Sequence, residues 1–439
     1  MGWGQGMITD DQGPELATRT SLRGWLIWGT AALFYLYEFF VRVAPSTMEP
    51  ELQAHFGLTA AALGAAAGTY YLIYSPMQLM SGTIIDRFGP KTVLLASALI
   101  CTLGAFLEIL GSAPFLLVAA RFCQGLGSAF AFVGTMYLAA EWFPRSMLAL
   151  LAGLTTSLGM AGAIIGNAGI AHMVQSMGWQ SSLMVAGFVG LAIAALIGLI
   201  VPHRSRLAQA TAHIKKPSVI AALKVVYSNP QSWYIGIVGA ALYMPLSILG
   251  ALWGENYVSS ITGATKVEAA GAISMMYVGW LVGGPVVGYV SDRLNARRVF
   301  LLGASVATLA VTLAIALLPA VSLPGMYVLM LLLGLASTSE VVCFAAAVEH
   351  NPSNVTGTAI ASTNMIIMLL GGVGEWGFGA LLDLFNDPDA AAGDYSMTAY
   401  RLAIGLLPVF CAVGLMAGLL LKDAEEDTAE EAAVEGIAA

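Results

Sequence analysis

Glu38, Arg42, Arg121, Glu340 and Glu375 stand inside long apolar runs. An ionisable side chain is costly there, so each marks a candidate functional position. In 35-YLYEFFVR-42 the three-to-four spacing puts Tyr35, Glu38 and Arg42 on one helical face. Such a set could bind a polar solute or a proton, or it could be a self-satisfied pair that orders its helix. Arg121 is followed one turn later by Gln124, and the competing reading is a structural ion pair with Glu108 at similar depth. Glu340, in 337-STSEVVCF-344, has nothing basic at its depth in its own run. A carboxyl so placed is a candidate proton carrier, unless the neighbouring Ser and Thr hydrogen-bond it. Glu375 lies among glycines in 371-GGVGEWGFG-379, able to pair with Arg42 or Arg121 as a gate, or else to sit at lid level on the surface. Tyr70, Tyr71, Tyr74 and Gln78 share one run, and each tyrosine offers an apolar ring with a polar tip suited to a wet cavity. Tyr277, Tyr243 and Asn364 are of the same kind. Glu255 and His172, near the ends of runs, read as interfacial groups.

The elements that must position these residues are membrane helices. Hydrophobic residues make up 58% of the 439-residue chain and charged ones only 10%, against about a quarter charged in soluble domains. A helix crosses a bilayer in about 20 apolar residues. Windows of that size predict twelve spans: 24–45, 58–82, 92–111, 114–140, 147–172, 179–201, 233–258, 267–289, 299–319, 323–347, 355–381 and 399–421. The expected fold is thus an all-α membrane protein. Its parts are an N-terminal tail 1–23, a six-helix bundle 24–201, a polar linker 202–232, a second bundle 233–421 and an acidic tail 422–439. Of the eighteen Lys and Arg, only Lys266 and Arg401 fall in loops on one side, and Arg42 and Arg121 in spans; the remainder cluster on the other side. That bias predicts that both termini are cytoplasmic, and the inner membrane is the expected location. No signal peptide is expected. The four cysteines lie in apolar runs without ligand spacing, so no disulfide or metal framework is expected.

The chain also repeats itself. Tyr71/Tyr277, Gly82/Gly288, Asp86/Asp292 and Arg87/Arg293 are each 206 residues apart. Glu141 in 139-AAEWFP-144 is echoed by Glu349 in 346-AAVEHNP-352. Two parallel six-helix repeats with a site between them are the plan of many transporters. The loop 82-GTIIDRFGPK-91, after the second of twelve spans, resembles the signature loop of the major facilitator superfamily. So does 121-RFCQGLGSA-129, which is similar to that family's Arg-x-x-Gln-Gly motif. The resemblance covers essentially the whole chain. It implies that Arg121 takes part in proton coupling or in binding substrate anions. It also implies that Asp86 meets the N-terminus of a helix in the opposite half, where the positive helix end favours a carboxylate. Arg87 and Lys91 would add charge pairing, Gly82 would allow close helix approach, and Gly89 a turn with positive φ. Asp292, Arg293 and the acids Glu141 and Glu349 would complete this cytoplasmic gate, the acids as partners of the loop arginines. On the fifth span Gly153, Gly162 and Gly166 partly match a glycine-rich pattern of drug/proton antiporters, but Asn167 stands where that pattern has Pro.

The expectation is a secondary transporter, not an enzyme, moving a small polar solute, anionic or zwitterionic (an organic acid, amino acid or short peptide). It would work by alternating access with proton-coupled symport. The rivals are a proton-driven exporter of drugs or siderophores, and a facilitative uniporter or transport-inactive sensor. No cofactor is expected beyond the proton as coupling ion. The expected partners are a small-molecule substrate and the lipid bilayer, with no nucleic acid, and the chain is expected to be a monomer.

Overall fold

The computed structural model describes residues 21–144, 147–203, 218–294, 297–318, 320–352, 355–387 and 394–422, without the side chains of residues 149, 292 and 294. Most of both tails and of the linker, and the side chain of Asp292, lie outside the described residues. Among the described residues every regular element is helical. Eleven helical stretches there are long and apolar enough to cross a membrane. The twelfth span is Ala60–Phe88, whose 29 residues are ample in length. Its Tyr70, Tyr71, Tyr74, Ser75, Pro76 and Gln78 make it the least greasy of the set.

Local chemistry sets the helix ends. Ser21 Oγ accepts from Gly24 N at 3.0 Å to cap Leu22–Val43, and Thr59 Oγ1 accepts from Ala62 N at 3.2 Å to cap Ala60–Phe88. These are ordinary hydroxyl caps on otherwise orphaned amides. Gly89 adopts φ 81°, and Pro90 opens the next helix, Pro90–Leu107. The charged stretch expected as a loop is therefore mostly helix: Gly82 to Phe88 continues Ala60–Phe88 and only Gly89 turns. Its repeat behaves alike, since Lys266–Leu294 runs through Gly288 and Arg293. Asp86 and Arg87 thus project from a final helical turn, which is a stiffer mount than a loop. The polar linker likewise holds a helix, Val219–Ser228, capped by Ser218.

The two halves repeat in three dimensions. The fourth span breaks between Pro114–Ser128 and Ala131–Trp142, and the tenth between Leu323–Ser337 and Val341–Glu349. A Cβ built on Gly125 would fall 2.3 Å from the Tyr70 carbonyl oxygen, and one on Gly334 would fall 2.1 Å from that of Met276. Tyr70 to Met276 is again 206 residues, so the same helix crossing is built twice on a bare glycine. Small residues at crossings let backbones touch where lipid offers no hydrophobic drive for association. Leu99, Leu103, Phe115, Val286 and Val306 are exposed on the outer surface, as a lipid-facing belt requires.

The halves meet along Ala60–Phe88 and Thr356–Phe385, which run antiparallel. A Cβ on Gly64 would sit 2.5 Å from the Glu375 carbonyl oxygen, one on Gly68 3.0 Å from that of Gly372, and one on Gly379 2.3 Å from that of Ala60. At the other ends of these helices a Cβ on Gly82 or Gly357 meets nothing within 4 Å. The pair is in contact at the face remote from Gly82–Lys91 (here the far face) and parts toward the face that carries it (the loop face). Gly82 stands 18 residues, about five turns, from Gly64 and so on the same helix face, yet it meets no neighbour; contrary to expectation it supports no close approach in this state.

Candidate functional site

The centre of the molecule is built on Arg42. Its Nη2 donates to both Glu38 oxygens at 3.0 Å, one helical turn back. Its Nε donates to Tyr70 Oη at 2.9 Å, and Tyr70 Oη donates on to Glu38 Oε2 at 2.9 Å. Its Nη1 reaches Tyr243 Oη, in the other half, at 3.5 Å. The guanidinium also lies 4.2 Å from the Phe39 ring centre, 5.2 Å from that of Tyr70 and 5.1 Å from that of Tyr74. Both members of the ion pair are buried. The self-satisfied pair is therefore formed, but it does not exhaust Arg42, which ties together the first helix, the second helix and the opposite half.

Arg121 is equipped differently. Nη1 donates to Gln124 Oε1 at 2.8 Å and to Val41 O at 3.4 Å; Nη2 donates to Arg42 O at 3.3 Å. Nε is buried with no hydrogen-bond partner. Gln124 Nε2 donates to Glu108 Oε1 at 2.9 Å, so the amide stands between Arg121 and Glu108 where a direct ion pair was the competing expectation. Among the described residues Arg121 has no carboxylate partner. It lies 4.9 Å from the Tyr70 ring centre, so one tyrosine ring serves both buried guanidinium groups.

Across the interface, Glu375 is fully buried, not at lid level. Oε1 accepts from Ser247 Oγ at 3.4 Å, while Oε2 has no hydrogen-bond partner. The cations whose field reaches it are Arg121 and then Arg42, and no direct pair is formed with either among the described residues. The Tyr71 hydroxyl is also buried, beside Glu375 and Tyr243 but with no hydrogen bond of ordinary length to either. Tyr35, Tyr74 and Tyr277 are buried close by, with Tyr74 stacked on Tyr70 at 5.8 Å. Gln78 and Asn364 are half-buried and stand apart from this cluster. Gln78 is eight residues, about 12 Å of helix, beyond Tyr70 toward the loop face. Glu340 lies in a short 3-10 turn, Thr338–Glu340, within the second half. Its neighbours do not serve it: Ser337 Oγ donates to Gly334 O and Thr338 Oγ1 to Trp280 O. Among the described residues its carboxyl has neither hydrogen bond nor ion pair.

At the loop face Arg297, not Arg293, pairs with Glu349, Nη2 to Oε1 at 3.0 Å. Arg293 Nη1 donates instead to Tyr289 Oη at 3.3 Å. A loop arginine is thus the partner of Glu349, as expected, and it is the one beyond the helix end. Asp86 and Glu141 both hold interactions at this face, and Lys91, the second residue of Pro90–Leu107, is half-buried.

The far face carries residues that sequence reasoning passed over. Asp383 Oδ1 and Oδ2 accept from Ala60 N at 3.0 Å and Ala61 N at 2.8 Å. Tyr395 Oη accepts from Ala60 N at 2.9 Å and lies within donating distance of Asp383 Oδ1 at 3.0 Å and Gln53 Oε1 at 2.9 Å. Burial and the adjacent Asp383 carboxylate hold the Tyr395 hydroxyl above the usual phenol range, so it remains a donor. Ser46 Oγ lies 2.7 Å from Asn167 Oδ1 and 3.0 Å from Glu255 Oε1, Asn167 Nδ2 donates to Gly250 O at 3.4 Å, and Asn256 donates to Glu49. Lys266 pairs with Glu51 at 2.7 Å. Glu255 is thus a buried inter-half contact, not an interfacial group. The signal for Asn167 was available, as a polar residue in mid-span where a related pattern has Pro. It sits in a π-helical turn, Ile165–Gly169, and the seventh span has a longer one, Leu246–Trp253, just after Pro245. Such turns re-aim side chains and gather at working sites.

Twelve membrane helices in two repeats around a buried polar centre define a multi-pass membrane protein of the transporter type. The family model for the Major Facilitator Superfamily matches residues 28–375. The chain belongs to that superfamily, a family of transporter fold and not of enzymes. It is 26% identical over 287 residues to the probable sulfoacetate transporter SauU of Cupriavidus necator, covering 62% of this chain and 66% of that one. It is 26% identical over 318 residues to the membrane sensor protein UhpC of Salmonella typhimurium, covering 66% of this chain and 69% of that one. The matched region thus spans about two thirds of each relative's length. In fold it is similar to a bacterial homolog of the human lysosomal transporter Spinster, crystallised in an inward-facing and unoccupied conformation. There the TM-score is 0.71 at 14% identity, over 91% of this chain and 98% of that one.

Proposed function

We propose that the protein carries a small organic anion across the inner membrane by alternating access, in symport with protons. The observation that carries this reading is Arg121, a buried guanidinium with two carbonyls and an amide for company and Nε unmatched. Buried polar groups are normally satisfied, and a group that is not invites a missing partner. A carboxylate, sulfonate or similar group would supply charge and acceptors together. Across the site, Glu375 Oε2 and the Tyr71 hydroxyl offer a second place for a hydroxyl or other donor on the same solute. Arg42 is already neutralised by Glu38, so it is less available to the solute until Glu38 takes up a proton. That links the two events: protonating Glu38 frees Arg42 to join Arg121 on an anion. Glu340, with no partner, is the second proton-carrier candidate. The name of the C. necator relative makes short sulfonates and carboxylates the first solutes to try. The Lys/Arg bias supports the loop face as cytoplasmic, and a state closed at the far face is then the inward-facing one. Asp86 would close the loop face in the alternate state by meeting the start of Thr356–Phe385.

The test is uptake by proteoliposomes of radiolabelled short sulfonates and dicarboxylates under an imposed pH gradient. Concentrative uptake that vanishes when the gradient is collapsed and in Arg121→Lys supports the reading. Uptake of uncharged or cationic solutes only would reject it. A second reading, a sensor that binds its solute without carrying it, is favoured by the similarity to UhpC. It predicts saturable binding of the anion with no uptake.

A further inference from the structure

The Ala60–Phe88 and Thr356–Phe385 helices end alike. One closes on Asp86-Arg87-Phe88 and the other on Asp383-Leu384-Phe385, so each places an Asp two residues before its last. They run antiparallel across the interface between the halves, so each Asp lies at the end where the other helix begins. At the far face this corner is made: Asp383 spans the first two amides of Ala60–Phe88 with both oxygens, and Tyr395 covers the same Ala60 amide. Four amides at a helix start lack partners within the helix, and the end carries partial positive charge. A carboxylate from the opposite half supplies both needs. The glycine contacts at Gly64 and Gly68 lie within the first three turns from this corner, and the helices have parted by Gly82 and Gly357. The loop-face corner lies about 40 Å away, since 29 residues rise about 1.5 Å each. Two rigid helices touching at one end cannot also close at the other without rocking about the contact.

We infer that Asp383 is a positioning residue of the transport cycle: it locks the far face by clasping the start of Ala60–Phe88, as the alternative to closure at the Asp86 corner. Tyr395, whose one hydroxyl proton can go to Asp383 Oδ1 or to Gln53 Oε1, braces the carboxylate on the two amides when it points to Asp383. The lock acts on the equilibrium between the two closed faces and not on the solute. The inference draws on the transport reading only for what the two states are for.

Four labelled variants test it, in a background with Cys101, Cys123, Cys343 and Cys411 replaced by alanine, reconstituted in liposomes without added solute. Spin labels at Ala65→Cys and Leu384→Cys report the far face; labels at Phe88→Cys and Gly357→Cys report the loop face. Distances are read by double electron–electron resonance. Removing two charge-assisted hydrogen bonds should move the ratio of far-face-closed to far-face-open molecules by at least about tenfold. Asp383→Ala is therefore expected to lengthen the far-face distance in one label pair and to shorten the loop-face distance in the other. Asp383→Asn, which keeps one acceptor, and Tyr395→Phe should fall between it and the parent. Asp86→Ala should shift the balance the opposite way. Should Asp383→Ala fail to fold, the Asn and Phe variants carry the same comparison. Unchanged distances in the Asp383 variants, or widening at both faces together, would overturn the inference. Because no solute enters the measurement, such a result leaves the transport reading standing, and failed solute uptake leaves this one standing.

Discussion

Replacing Glu38 with Gln removes the charge opposite Arg42 and leaves the shape almost unchanged. Arg42 would keep Tyr70 at 2.9 Å and Tyr243 at 3.5 Å but lose both ionic contacts at 3.0 Å. Both partners are buried, so water cannot replace what is lost. Breaking a buried ion pair from one side costs about 3–5 kcal/mol, because the surviving charge remains desolvated. The amide oxygen of Gln still accepts one hydrogen bond, so the lower end, about 3 kcal/mol, is expected. Removing both charges together, Glu38→Leu with Arg42→Met, takes away the stranded charge. It leaves the hydroxyls of Tyr70 and Tyr243 underused at about 1 kcal/mol each. The double variant should therefore be no less stable than Glu38→Gln, far from the sum of its parts. Denaturant titration in mixed micelles of wild type, Glu38→Leu, Arg42→Met and the double variant forms a cycle whose coupling term measures the pair. A coupling energy near zero, or a Glu38→Gln variant within about 0.5 kcal/mol of wild type, would refute the buried ionised pair.

Three further outcomes follow from particular contacts. Arg121→Lys puts one ammonium where two nitrogens now reach Gln124, Val41 and Arg42, and a point charge does not reproduce a planar fork; anion affinity should fall at least about tenfold, read by isothermal titration with a short sulfonate. Gly125→Ala would press a methyl to 2.3 Å from the Tyr70 carbonyl oxygen, costing about 1–3 kcal/mol as overpacking. Gly82→Ala meets nothing within 4 Å and should unfold with wild type, while slowing turnover if its helix closes on the opposite half in the alternate state; equal stability losses in the two variants would contradict the packing. Glu340→Gln should abolish pH-driven accumulation yet spare solute counterflow, and loss of both would remove Glu340 from the proton path.

Much of the fold could be read in the sequence because lipid leaves the backbone few choices. A run such as Trp179–Ile200 has one stable form in a bilayer, and the Asp86/Asp292 echo exposed the duplication. Glu38, Arg42, Arg121 and Glu375 could be found because charge is rare in such runs. What could not be read was pairing. The position of Gln124 between Arg121 and Glu108 depends on how two helices are rotated, which apolar periodicity does not fix. Asp383 and Tyr395 lie at and beyond a span's end, where polar residues are common, and their partners are backbone amides that every residue carries. Which of the loop arginines meets Glu349 stayed open, because sequence locates a helix end only to within a few residues; it is Arg297. Gly82–Phe88 read as a loop because charge interrupts the greasy pattern, yet nothing in those residues breaks a helix before Gly89.

The central claim, that Arg121 receives an anion whose movement is driven by protons, has one most direct measurement. Wild-type and Arg121→Lys proteoliposomes are loaded at alkaline pH, diluted into acidic buffer with a labelled short sulfonate or dicarboxylate, and assayed for internal label. The wild type should accumulate the anion above its external concentration, and neither the variant nor wild type treated with a protonophore should do so. Accumulation that is the same with and without the pH gradient, or that survives Arg121→Lys unchanged, would contradict it.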